Sequence, residues 1–162
     1  MRNFTVAGMA SLALALSACS PAATPKAEAP APAGAVASAP TPDATMQAVI
    51  AHHVQTVKAA DLEGVMADYA DDVILVSPPG LVNPTSTFVG KADARKFFEW
   101  LFTPAVLPGA QSMVTTNEIV GPNTLLFRWT QFPGTPKEVK GYDIFVFRDG
   151  KIIFQTTAPM PK

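Results

Sequence analysis

Along Tyr142-Asp143-Ile144-Phe145-Val146-Phe147 a carboxylate alternates with two large aromatic rings. On an extended strand Asp143, Phe145 and Phe147 therefore share one face. A carboxyl group turned into an apolar interior resists ionisation, and its pKa rises by roughly 3 to 5 units in extreme cases. Kept protonated, Asp143 would donate a hydrogen bond to a ligand oxygen or exchange a proton with it. The alternative is an Asp that pairs with buried neighbours to organise the sheet. The second candidate is His53, which falls within Met46, Val49, Ile50, His53, Val54 and Val57, an apolar stripe at helical spacing. A histidine in that stripe is a natural general base near neutral pH, or else a satisfied core residue. His52 lies about 100° away round the helix, at the border of the stripe. With two histidines, one cysteine and adjacent His positions that diverge, no zinc site can be assembled. No phosphate-binding glycine loop, dinucleotide fingerprint or nucleophile elbow is present, so no cofactor is expected.

The elements that must position these residues can be read in order. Thr41, Pro42 and Asp43 supply a cap, a first-turn proline and a first-turn acid for a helix carrying His53. Asp61 caps a second, short helix with Leu62, Val65, Met66 and Tyr69 as its apolar face. Asp71-Asp72 then reads as a helix-to-strand turn before the β-branched strand 73–76, which Ser77-Pro78-Pro79-Gly80 ends. After a loop to Gly90, a third helix runs from Lys91 to Phe102, with Ala94, Phe97, Phe98 and Leu101 inward and no clear face for Trp100. Four strands follow, near 112–120, 124–132, 139–148 and 151–157, the last two joined by Asp149-Gly150, a favoured two-residue hairpin turn. Helices first and an antiparallel sheet after them predict an α+β layer fold. Tyr142, Ile144 and Val146 make the second face of their strand apolar as well. Either an isologous dimer covers that face, or a monomer leaves it exposed.

Three segments, in order, resemble one family. Ala60-Asp61-Leu62-Glu63-Gly64 through Tyr69-Ala70-Asp71-Asp72, the helix opening Gly90-Lys91-Ala92-Asp93-Ala94-Arg95-Lys96-Phe97-Phe98, and the hairpin Gly141 to Ile152 are similar to the SnoaL-like proteins of the nuclear transport factor 2-like superfamily. The resemblance implies a cone: a strongly curved antiparallel sheet wrapped by three helices, open at one end to a small, mostly apolar ligand. It also implies dimerisation through the sheet. It names no reaction, because the fold hosts isomerases, cyclases, dehydratases and proteins without activity. Asp143 matches the hydrogen-bonding Asp of ketosteroid isomerase, and His53 matches the position of its first-helix Tyr. Val76-Ser77-Pro78 stands where that isomerase carries its proton-shuttling Asp, and Ser77 cannot replace it unaided, so steroid isomerisation is not expected. The resemblance makes Phe127, Trp129, Phe145, Phe147 and Ser77 the expected ligand contacts. Three readings stay open: a binding protein, a proton-transfer enzyme with Asp143 and His53 as acid and base, and an interaction module whose cone is filled by Phe97, Phe127, Trp129, Phe145 and Phe147.

Ahead of this domain, Arg2 precedes an apolar run from Val6 to Leu16 that is too short to span a bilayer. Leu16-Ser17-Ala18-Cys19 resembles a lipobox, with cleavage after Ala18 and lipid on Cys19. Cys19 is the chain's one cysteine, so the mature protein can form no internal disulfide. Ser20 after it favours the outer membrane, facing the periplasm. Residues 19–41 are Ala- and Pro-rich, with too little apolar surface to fold, and read as a tether to a single domain at 42–162. A net charge of −1 without any Lys/Arg cluster excludes nucleic acid as an expected partner. The membrane would be met only through the lipid.

Overall fold

The computed structural model describes residues 41–161; Cys19, the apolar run before it and residues 20–40 lie outside the described residues. Among the described residues, four helices and six strands follow in order: α1 (Pro42–Ala59), α2 (Leu62–Ala67), β1 (Tyr69–Val76), β2 (Thr87–Val89), α3 (Lys91–Leu101), α4 (Leu107–Gln111), β3 (Val114–Gly121), β4 (Thr124–Gln131), β5 (Val139–Arg148) and β6 (Lys151–Pro159).

The caps work as their residue types dictate. Thr41 Oγ1 accepts from the Ala44 amide at 3.2 Å, and Asp61 Oδ1 accepts from the Gly64 amide at 2.9 Å, each satisfying a donor that the first helical turn leaves unpaired. α1 buries Met46, Ile50, His53, Thr56 and Val57, which confirms the stripe and places His53 within it. Α-helical backbone in α2 stops at Ala67, so Tyr69 is not on its apolar face but opens β1. Nor is Asp71-Asp72 a turn, because both lie inside that strand. Pairing decides this: Tyr69 sits beside Ile152 of β6, the Ile152 amide donates to the Asp68 carbonyl at 2.9 Å, and a register shift between Tyr69 and Ile74 absorbs the two acids. Asp72 then meets Arg148 Nη2 at 2.7 Å.

The six strands form one curved, open sheet in the order β2-β1-β6-β5-β4-β3. From β3 to β6 it is the expected antiparallel meander. β1, however, runs parallel to β6, so the sheet is mixed rather than wholly antiparallel. β2 and α4 occupy stretches that carry little local signal. β2 has three residues, of which only Phe88 is buried, and α4 contains Pro108 and Gly109, both poor helix formers. The core lies between the helices and one face of the sheet, where Tyr69, Leu75, Phe98, Leu125, Phe145 and Ile152 are almost wholly buried. Along β5, Gly141, Asp143, Phe145 and Phe147 are buried in strict alternation with Tyr142, Ile144 and Val146, which turn to the other face.

Candidate functional site

A cavity of about 70 Å³ opens between α1, α3 and the inner face of β4 to β6, with His53, Phe98, Phe127, Trp129, Asp143 and Gln155 among its walls. A larger recess of about 270 Å³ shares Phe97, Leu101, Trp129, Gln131 and Thr157 with it and adds Pro78, Leu81, Trp100, Val106 and Pro159. The two therefore lie side by side, a chamber and an adjoining vestibule that share a wall.

Sheet register builds the polar end of the chamber. Asp143 lies directly between Phe127 of β4 and Thr157 of β6. Its hydrogen-bonding neighbours come from the diagonal positions, which long side chains on adjacent strands can reach. Trp129 Nε1 donates to Asp143 Oδ1 at 2.8 Å, and Gln155 Nε2 donates to Oδ2 at 2.8 Å. The indole can lie there because its cross-strand partner is Gly141, where any Cβ would fall inside the ring's van der Waals envelope. Gln155 is itself held, since the Tyr69 hydroxyl donates to its Oε1. Burial raises the Asp143 pKa, while donors from Gln155, Trp129 and Thr157 and the nearby His53 pull it back without cancelling the rise. Burial, with Asp143 and Asp68 adding negative charge, pushes the Tyr69 phenol well above its ordinary value, so it serves as a neutral donor.

His53 reaches the chamber from α1. Its ring is buried and packed edge-on against Tyr69, Phe98 and Phe145, with centroids 5.8, 5.8 and 5.5 Å away. His53 and Asp143 wall the same cavity but make no hydrogen bond to each other among the described residues; both carboxylate oxygens of Asp143 are engaged by Trp129 and Gln155.

Of the expected ligand contacts, Phe127 and Trp129 line the chamber. Three others do not. Phe145 is fully buried behind it, supporting His53 and Phe127 at 5.5 and 5.8 Å. Phe147 faces a separate recess with Pro42, Met46 and Arg148, beyond a register shift that follows Val146. Ser77 is buried in the β1 to β2 connection, its amide donating to the Ser86 carbonyl at 2.8 Å, and lines neither compartment. Gln155 and Thr157 were not anticipated. Counting back from the Asp149-Gly150 turn pairs Arg148 with Lys151 and Phe147 with Ile152, but Val146 then pairs with Phe154, skipping Ile153. That bulge turns Gln155 inward; an unbroken register would have faced it outward. Among the described residues no group of three His, Cys, Asp or Glu could hold a metal ion.

The sequence pattern of the SnoaL-like domain matches residues 50–155. The chain belongs to the SnoaL-like family. Solved structures share the SnoaL-like architecture at low identity, which speaks to the fold alone. An NTF-2 like protein from Burkholderia xenovorans LB400 superposes with a TM-score of 0.57 at 16% identity, covering 74% of this chain and 86% of that one. TerC, co-crystallised with polyporic acid, gives 0.56 at 21% identity over 72% and 92%. RV0760c of Mycobacterium tuberculosis, in complex with estradiol-17beta-hemisuccinate, gives 0.51 at 19% identity over 70% and 92%. Among curated proteins, none matches this SnoaL-like chain in sequence.

Proposed function

We propose that the domain binds a small, mostly apolar molecule whose polar head enters the inner chamber between Asp143 and His53 while its body occupies the aromatic vestibule. The observation that carries this reading is the cavity beside Asp143. An inner chamber of about 70 Å³ suits a head group, and the vestibule, with Trp100 and Trp129, offers the apolar wall that ligand sites use for the rest. The small-molecule complexes of TerC and RV0760c support the same use of this architecture. The same cavity counts against an interaction module with a filled cone, since Phe97, Phe127 and Trp129 leave space between them.

A catalytic version of this reading has its own support. Asp143 and His53 face one chamber from opposite elements, as acid and base must for proton transfer in an isomerase, cyclase or dehydratase. Ser77, which is not among the walls of the chamber, supplies no replacement for the missing proton-shuttling carboxylate. We further infer a lipoprotein anchored through Cys19 in the envelope, outer membrane by preference and facing the periplasm, that dimerises through the outer face of its sheet. Cys19→Ser is expected to release the protein from the membrane fraction, and retention there would refute the anchor.

Native mass spectrometry of residues 42–162 tests the binding reading. A co-purified small molecule, lost on Asp143→Asn while the protein stays folded, is the expected result. A molecule retained by that variant would remove Asp143 from the site.

A further inference from the structure

Asp68, at the C-terminal end of α2, is a buried acid that the chamber itself does not use. Its carboxylate is clasped by two consecutive residues of α1, whose side chains diverge by about 100° and so approach it from two sides. His52 Nδ1 lies 2.7 Å from Asp68 Oδ1, and His53 Nδ1 lies 3.7 Å from Oδ2. The first contact is a hydrogen bond, and since a carboxylate accepts only, His52 must donate from Nδ1. The second pair, at 3.7 Å, stands just beyond hydrogen-bond length. His53 Nδ1 and Asp68 Oδ2 are both shielded from solvent and have no hydrogen-bond partner among the described residues. Two buried polar atoms without partners are costly, and these two face each other as potential donor and acceptor.

We propose that Asp68 is a positioning residue for His53: it holds the ring in the Nδ1–H form, directed at Oδ2, and leaves Nε2 unprotonated for the chamber. This rests on the reading of that chamber as the ligand site. The three aromatic rings packed edge-on around His53 restrict its rotation, and His52, half exposed, fixes the opposite oxygen of Asp68. The charged and titratable groups around the imidazole are then Asp68 behind it, Asp143 across the chamber, Tyr69 beside it in the sheet and His52 next to it on α1. With Nε2 bare in the chamber wall, the head group that fits offers it a hydrogen-bond donor, such as a hydroxyl or phenol. In a proton-transfer reaction the same lone pair on Nε2 takes the proton, and Asp68 faces the imidazolium so formed.

Long-range proton–nitrogen correlation of the 15N-labelled protein at neutral pH reads the tautomer directly, without a ligand. The chain has two histidines, and the His52→Gln variant assigns them. Wild-type His53 is expected in the Nδ1–H form, shifting to Nε2–H or to a mixture in Asp68→Asn but not in the control Asp72→Asn, whose carboxylate is exposed. Nε2–H in the wild type overturns the proposal, even if the Asp68 variant fails to fold. So does a tautomer indifferent to Asp68→Asn, or one equally disturbed by Asp72→Asn. An empty cavity in mass spectrometry would defeat the binding reading and leave this result standing; a failed tautomer test would leave ligand binding untouched.

Discussion

Gly141 is the residue on which the polar end of the chamber depends most indirectly. Its missing side chain is the space into which the Trp129 ring folds to reach Asp143. Gly141→Ala is expected to push the indole aside, remove one donor from a buried carboxylate and destabilise the domain by about 1–3 kcal/mol. Urea unfolding followed by tryptophan fluorescence would show it, and unchanged stability and emission would mean that the ring does not need that space. Asp143 itself makes a prediction about pH. Its pKa is raised in the folded state, chiefly by burial, so its neutral form favours folding. That contribution is complete below the unfolded value of about 3.9 and is lost as pH rises through the higher folded value. Asp143→Asn has no such titration, so the stability of the variant relative to wild type should improve across that interval; parallel urea midpoints for the two proteins at every pH would contradict it. At this scale the sequence was informative wherever geometry was local. Strand parity located Asp143 and helical spacing located His53. Gln155 escaped because one bulged residue reverses the parity of everything beyond it, and Asp68 escaped because a helix-capping acid shows no sign in the sequence of the two histidines 15 and 16 residues before it.

Among the elements, the β5 to β6 hairpin has the most to lose from a single change. Both of its turn residues sit in the left-handed region, Asp149 at φ 52° and Gly150 at φ 70°. Asp tolerates that conformation and glycine is indifferent to it, whereas a β-branched residue is strained. Gly150→Val should therefore cost about 1–2 kcal/mol, visible as a lower thermal midpoint, and an unaltered midpoint would mean that the turn adopts another form. The hairpin was legible because its turn chemistry is written in two adjacent residues. α2 and β1 were legible only in part: helical spacing places Tyr69 on the face of Val65 and Met66, and only the pairing with Ile152, more than eighty residues later, draws it into the sheet. β2 and α4 have no local signature strong enough to declare them, since a three-residue strand and a five-residue helix containing Pro and Gly exist through their neighbours.

For the whole molecule, the order of helices followed by a meander made the fold class readable, and two-sided apolar strands pointed to a covered outer face. In the structure that face carries Leu126, Ile144 and Phe154, all half-buried and left without a covering element among the described residues, beside the more exposed Ile74 and Tyr142. If a second copy covers it, Ile144→Lys should convert a dimer to a monomer by native mass spectrometry while leaving the inner face, and so the chamber, intact; a wild-type monomer would refute the sheet-mediated dimer outright. Strand order was beyond the sequence, because nothing local says that β6 slots beside β1. That placement has a consequence for how the domain is put together. The last strand is not a rim but a keystone: without it, β2 with β1 and β3 with β4 and β5 would be separate pieces, each presenting unpaired backbone groups to the gap. Gln155, on that keystone, joins Tyr69 from one piece to Asp143 from the other. One strand thus closes the sheet and supplies the glutamine at the polar end of the chamber, so a change that unseats β6 breaks both together.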